Sequence, residues 1–465
     1  MRNVAMAIGL LVLLAVSPAG LSAQTVTMKA GVASAIITPD RPLTTVMGTM
    51  SAGTTHDIYA RALVLNDGQD RLVIVTYDLN CLDVATPILR ERCRDELQLD
   101  ASRLILLATH NHQAPIQIVP RNFDYGRWLA GRLFDLITEA IANEQGPAQV
   151  EVGSGYGYFV RSVGHAPVDY EIQVLKVTRD AKVVALLFNH PTHPLQSSRT
   201  SIDVGHPGYA VDFLEAKIPG ALVLYADACG GNQFPDRGNR TMGSDEQVRA
   251  LGRELGEAAF EIATGPLQDV TGRISSRLEV ISLPLAEPVS YDEAKKLARE
   301  IPLDIGFVPY PHEDRHSNWI RALLKHYEND IPFPKRTTDW VCTDDAYLVK
   351  EYATPRDFPC RYEEVIVSRI GPLAFIAMQG EVCAPIGMRI KDALRRQMPL
   401  MVFAYMGEHN LYIPTRELVR LDAYQAQVIR IQYASSVSWA PEVEDEMVDG
   451  VIKVVNSMTA APVKP

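Results

Sequence analysis

The chain has 465 residues, of which 47% are hydrophobic and 22% charged, so it can bury a sizeable core as one large domain or two and is not a disordered chain. Its formal net charge of −11, with no Lys/Arg-rich run, argues against nucleic acid, because phosphate binding needs a concentrated basic face.

The N-terminus reads MRNVAMAIGLLVLLAVSPAGLSAQ: one basic residue, an apolar run from Val4 to Val16, then small residues to Ala23. This predicts a secretory signal peptide over residues 1–23, too short for a stable membrane span, and a mature chain over 24–465 that is secreted or periplasmic. No later run is apolar enough to span a bilayer. Peripheral contact with lipid stays open, since a few exposed apolar side chains suffice for it.

Short runs rich in Val, Ile and Leu recur between segments with helical spacing. RLVIVTYDLN (71–80), RLILLATHNH (103–112), VVALLFNHPTH (183–193) and GALVLYADACGG (220–231) have the length and β-branched content of buried strands that finish in polar loops. PILRERCRDELQ and WLAGRLFDLITEAIANEQ between them have apolar residues at helical spacing. The alternation predicts an α/β architecture with helices packed on sheets. The texture changes over 266–280, a candidate lobe boundary, and the polar, aromatic, Pro-containing stretch 303–363 reads as an insertion carrying His312, His316 and His326. From VIVSRIGPLAFIAMQGE the strand pattern resumes.

Six cysteines are present: Cys81, Cys93, Cys229, Cys342, Cys360 and Cys383. In an oxidising compartment disulfides persist, and Cys342 with Cys360, flanking a polar segment, is the pair expected to form. No CxxC occurs, which excludes the commonest cysteine-based zinc site.

The candidate chemistry lies where apolar strands end. In ATHNH, alternation along a strand would point His110 and His112 to the same side, where both could bind one metal, or one bind while the other meets substrate. FNHPTHP closes another strand with His190 and His193, separated by a turn that Pro191 stiffens. MQGEVCAP offers Glu381 as an anionic oxygen, and a mixed His/carboxylate shell is usual for catalytic zinc. GEHNLYIPT adds Tyr412, while Asp78 in TYDLN and Asp227 in ADACGG could orient ligand histidines from behind. Cys229 is an alternative nucleophile, though its turn lacks the Gly-x-nucleophile-x-Gly pattern of a nucleophile elbow.

Taken in order, Gly31 to Pro39 (GVxxxxITP), HDIYARALVL, TYDLN, THNH, NHPTHP, GGNQFP, GE and NLYIPT resemble the neutral, non-lysosomal ceramidase family across most of the mature chain. The resemblance implies a ceramidase-like catalytic domain of mixed sheets with packed helices. It also implies a zinc ion held by His110, His190, Glu381 and Tyr412, with His112 on the substrate side. Gly231, Asn232, Phe234 and His193 are then expected to line the substrate, and His112 and Asp78 to serve catalysis. Where the family reads GDVSPN this chain has Gly231, Asn232, Gln233, Phe234, Pro235 and Asp236, so Phe234 replaces the family's functional serine and Asn232 its aspartate. The family's C-terminal immunoglobulin-like domain is not expected here.

The function so implied is an exported zinc-dependent hydrolase of an amide in an N-acylated substrate, either an N-acyl sphingoid lipid or another N-acyl compound. A zinc esterase, a sugar N-deacetylase, or a non-catalytic binding protein with a degenerate site are the alternatives, the last motivated by Phe234. The oligomeric state is open.

Overall fold

The computed structural model describes residues 27–459 except 118, 164–165, 301–314, 334–338, 344–345, 351–359, 408–410 and 432–434. The expected signal peptide, residues 303–314, 334–338, 344–345 and 351–359 of the expected insertion, and the side chain of Cys342 lie outside the described residues, and with them the expected Cys342–Cys360 pairing.

Two sheets stack face to face between two layers of helices. The larger has eight strands in the order Lys29–Ile36, Tyr59–Asn66, Arg71–Tyr77, Leu104–Ala108, Leu400–Met406, Leu373–Gln379, Cys360–Ile370 and Ile274–Pro284. The smaller has five: Leu222–Asp227, Lys182–His190, Glu171–Arg179, Ala148–Tyr156 and Gln268–Asp269. Both are mixed, with parallel pairs at Arg71–Tyr77 with Leu104–Ala108, Leu373–Gln379 with Leu400–Met406, and Lys182–His190 with Leu222–Asp227.

Because side chains alternate along a strand, each apolar run feeds two cores. Leu63, Leu65, Leu72, Ile74, Ile105, Leu107, Phe375 and Phe403 face inward onto Val150, Val152, Leu175, Val177, Leu187 and Leu224 of the smaller sheet. Their neighbours Ala62, Val64, Val73, Val75, Leu104 and Leu106 face the helices Ala85–Leu97, Phe123–Ala142, Ala384–Leu394 and Val443–Thr459. On the far side, Leu186, Phe188, Val223 and Tyr225 meet the helices Gly205–Lys217 and Asp245–Thr264. This explains the unbroken apolar runs: a strand buried on both faces has no polar face to alternate with, and each such Leu, Ile or Phe contributes about 1.5–3 kcal/mol.

The segment Asp245–Thr264 starts as a helix for a local reason. The Ser244 side chain accepts from Gln247 N and the Gln247 side chain accepts from Ser244 N, which satisfies two N-terminal donors at once. Over 268–284 the chain passes from the smaller sheet to the larger. Among the described residues no helix is long and apolar enough to cross a membrane.

Candidate metal centre

The site forms where strands of both sheets end. Leu104–Ala108 leads to His110, Leu373–Gln379 to Glu381, and Leu400–Met406 to Tyr412; Lys182–His190 of the smaller sheet leads to His193. Glu381 and Tyr412 are brought opposite each other by a short parallel pairing of Glu381–Val382 with Tyr412–Ile413. Glu381 Oε2 lies 3.3 Å from His110 Nε2 and 3.2 Å from His193 Nε2. The Tyr412 hydroxyl is 3.0 Å from His193 Nε2. Ligand atoms of His110, His193 and Glu381 all fall within 4.8 Å of one another, and all three residues are buried.

The histidine that faces Glu381 is therefore His193 and not His190. Strand parity gives the reason: His190 shares a face with Leu186 and Phe188, which pack on the helical layer. There its Nε2 meets the carbonyl of Gly157 at 3.2 Å and its ring packs on Phe159. Burial pulls it down to about 4, so it stays neutral. Past Pro191 the chain turns back and delivers His193 to the opposite side. Residue His193, expected to line the substrate, sits instead among the candidate ligands.

Each candidate ligand is aimed from behind. His193 Nδ1 reaches the carbonyl oxygens of Gly230 (3.1 Å) and Gln233 (3.0 Å), two acceptors that keep a hydrogen on Nδ1 and leave the Nε2 lone pair for the site. Asn80 supports His110 from behind, its side-chain amide 3.0 Å from Nδ1. Asn80 closes the TYDLN motif and was not singled out by the sequence; its place one strand over from THNH is the signal that could have found it.

Asp78, expected to do this work, does not. Its carboxylate accepts from Tyr59 N at 2.9 Å and from Arg61 at 3.2 Å, and its carbonyl takes the side-chain amide of Asn111. Asp227 is also turned away from the histidines: it accepts from the Tyr225 hydroxyl in a fully buried environment.

His112 keeps company with His110, Nε2 to Nε2 at 3.1 Å, and is the partly exposed member of the group. The cause is not strand alternation, since the strand ends at Ala108. His110 has φ of +54°, and the buried Asn111 side chain ties the loop to the carbonyls of Asp78 and Asp203.

The glycine-rich turn has a different task from the one expected. A Cβ at Gly230 would stand 2.9 Å from Thr192 N, and one at Gly231 would stand 2.4 Å from the Glu381 carbonyl oxygen. The turn is wedged between the segments that carry His193 and Glu381, and only glycine lets the backbones approach so closely. Asn232 is fully buried, accepting from Ala384 N at 2.7 Å and donating to Ser162 Oγ at 2.9 Å, which fastens the start of the helix after Glu381. Phe234 alone of that turn reaches the site face, its ring stacked on His193 at 4.6 Å and 29°.

Electrostatics suit a cation. Burial pushes the Glu381 carboxyl up, but the facing ring nitrogens of His110 and His193 outweigh it and hold the group well below the usual carboxylate range. Burial lowers His110 despite the attraction of Glu381, and lowers His112 further, helped by His110. Glu381 Oε2 has no hydrogen-bond partner. Two ring nitrogens turned toward one carboxylate oxygen in a buried setting form a donor set that could hold a metal ion. Cys229, by contrast, is 1% exposed with its thiol pushed up to about 12 by burial, the opposite of an activated nucleophile.

No family model matches the sequence, and no curated protein matches it. Solved structures do. A neutral ceramidase from Pseudomonas aeruginosa matches with a TM-score of 0.68 over 94% of this chain and 76% of that one, at 17% identity. A ceramidase complexed with C2 matches with the same TM-score over 95% and 76%, at 16% identity. The chain has the ceramidase fold. On this ceramidase-like scaffold the buried His110–His193–Glu381 group lies at the strand ends that face each other across the two sheets, the position in which an α/β fold ordinarily carries its site.

Proposed function

We propose that this protein is an exported zinc-dependent hydrolase that cleaves the amide bond of an N-acylated substrate. The observation that carries the proposal is the buried convergence of His110 Nε2, His193 Nε2 and Glu381 Oε2 beside the Tyr412 hydroxyl on a ceramidase-like fold. Export is supported by the N-terminal sequence, and amide hydrolysis by the fold and the donor set together.

Zinc at this donor set would supply Lewis acidity and bring the pKa of a bound water to about 7. The chain's own groups do the rest. Gly230 and Gln233 hold a proton on His193 Nδ1. Tyr412, whose phenol burial and Glu381 keep protonated, can donate a hydrogen bond to a developing oxyanion. His112, neutral and at the accessible edge, can take a proton from the attacking water and return it to the leaving nitrogen. Phe234 covers one face of His193 and presents an apolar surface, so the substrate group beside it is apolar or planar.

The test pairs metal content with turnover of an N-acyl sphingoid lipid and of an N-acetylhexosamine. The expected result is about one zinc per chain, loss of metal in His110→Ala and His193→Ala, and hydrolysis of one substrate class. Full activity in metal-free protein overturns the reading.

Phe234 also favours a second reading, a binding protein on the same scaffold. That reading expects tight apolar binding with no turnover, unchanged in Glu381→Gln.

A further inference from the structure

His110 in the site and Tyr405 behind it have left-handed backbones. His110 has φ of +54° and Tyr405 φ of +56°, a region that non-glycine residues leave unless their surroundings hold them there. They sit on neighbouring segments, since Leu107 and Met406 pair and Gly407 N donates to the Leu106 carbonyl at 3.0 Å.

The two rings meet. Their centroids are 4.3 Å apart with planes at 37°, while the Tyr405 ring stands edge-on to His193 at 6.5 Å and 89°. Tyr405 also donates its backbone N–H to the carbonyl of Gly380 at 2.9 Å, the residue that precedes Glu381. Tyr405 is 1% exposed, and its hydroxyl has no hydrogen-bond partner. What this residue gives the site is a flat face and a backbone anchor rather than a polar contact.

We propose that Tyr405 is a positioning residue for the metal: its ring fixes the plane of the His110 imidazole, and its backbone fixes the segment that delivers Glu381. The proposal rests on the metal reading of His110, His193 and Glu381. The physical need is plain, because the χ2 torsion of histidine is broad and two-fold, whereas a ligand lone pair must point in one direction. Asn80 holds one edge of the His110 ring at Nδ1, and Tyr405 covers a face; together they stop rotation about χ2. Volume filling alone would not explain a left-handed tyrosine, since a residue with an ordinary backbone fills space at less cost.

The experiment compares wild type, Tyr405→Phe and Tyr405→Leu. Zinc and cobalt affinities are measured by calorimetry, and the visible d–d bands of the cobalt form are recorded. Tyr405→Phe, which keeps the ring, should bind like wild type. Tyr405→Leu should bind about 10–100-fold more weakly, with shifted cobalt bands. Because the Leu variant can fail to fold, a second measurement uses metal-free wild type with labelled histidine. The His110 ring protons, assigned through His110→Ala, should be displaced upfield by the Tyr405 face, and equally so in Tyr405→Phe. A folded Tyr405→Leu with wild-type affinity and bands, or His110 signals at unperturbed positions in wild type, overturns the proposal. Wild type that takes up neither ion overturns the metal reading and this proposal together, and so is distinct from failure of the proposal alone.

Discussion

The absent side chain of Gly231 faces the backbone of Glu381: a Cβ there would lie 2.4 Å from the Glu381 carbonyl oxygen and 3.0 Å from its carbon. The contact is backbone to backbone, so no rotamer change can relieve it. Gly231→Ala should displace Glu381 and destabilise the fold by about 1–3 kcal/mol. Thermal unfolding together with zinc titration checks this. A variant with wild-type Tm and zinc affinity would show that the turn yields freely.

His190 and His193 should separate cleanly. His193→Ala removes a candidate ligand and should cost metal binding, and because the ring is buried it should cost some stability as well. His190→Ala leaves a cavity among Phe159 and Phe188 and should destabilise by about 2–4 kcal/mol while keeping metal affinity. Calorimetric zinc binding read beside urea unfolding distinguishes them. The converse pattern would return His190 to the ligand set.

The exposed edge of the fold carries a pH-dependent pair. His56 Nε2 lies 2.9 Å from Asp212 on the helix Gly205–Lys217, and the Asp212 hydrogen bond, opposed by burial, raises the imidazole to about 9. A folded-state pKa above the unfolded 6.5 means that the protonated form favours folding. The stabilisation is full below pH 6.5, declines from there to 9, and is lost above. With Asp212 44% exposed, solvent screening limits it to about 1 kcal/mol. Unfolding measured between pH 6 and 10 should show this slope, and Asp212→Asn should flatten it.

Lys391 is buried, with Nζ 2.5 Å from Asp169 and 2.8 Å from Glu171. Removing the cation leaves Asp169 buried without a countercharge and Glu171 with only Arg395, 3.5 Å away, so Lys391→Met should cost about 3–5 kcal/mol. Adding Asp169→Asn and Glu171→Gln should recover a large part of it. A triple variant no more stable than Lys391→Met would place the loss in packing instead.

Phe234 should govern which substrates enter. Phe234→Ser removes the ring stacked on His193 and should admit N-acyl substrates with bulkier groups beside the amide, read as a changed ranking of kcat/KM across a size series. An unchanged ranking would remove Phe234 from the substrate path.

The sequence by itself determined the strands and which polar residues stand at their ends. Apolar runs such as VVALLF and LILLA have the length and β-branched content of strands buried on both faces, and the polar residues at their ends, among them His110, Glu381 and Tyr412, stand where the strands stop. Strand alternation also places His190, whose parity matches that of Phe188, on the face toward the helices. Tertiary structure alone decided the remainder. That His193 returns to the site depends on how the chain turns after Pro191. That Asn80 and not Asp78 supports His110, that Gly231 clears space for Glu381, and that Tyr405 lies on His110 depend on which strand ends become neighbours. Such contacts join residues up to some three hundred positions apart, and no local pattern of hydrophobicity or turn chemistry records them.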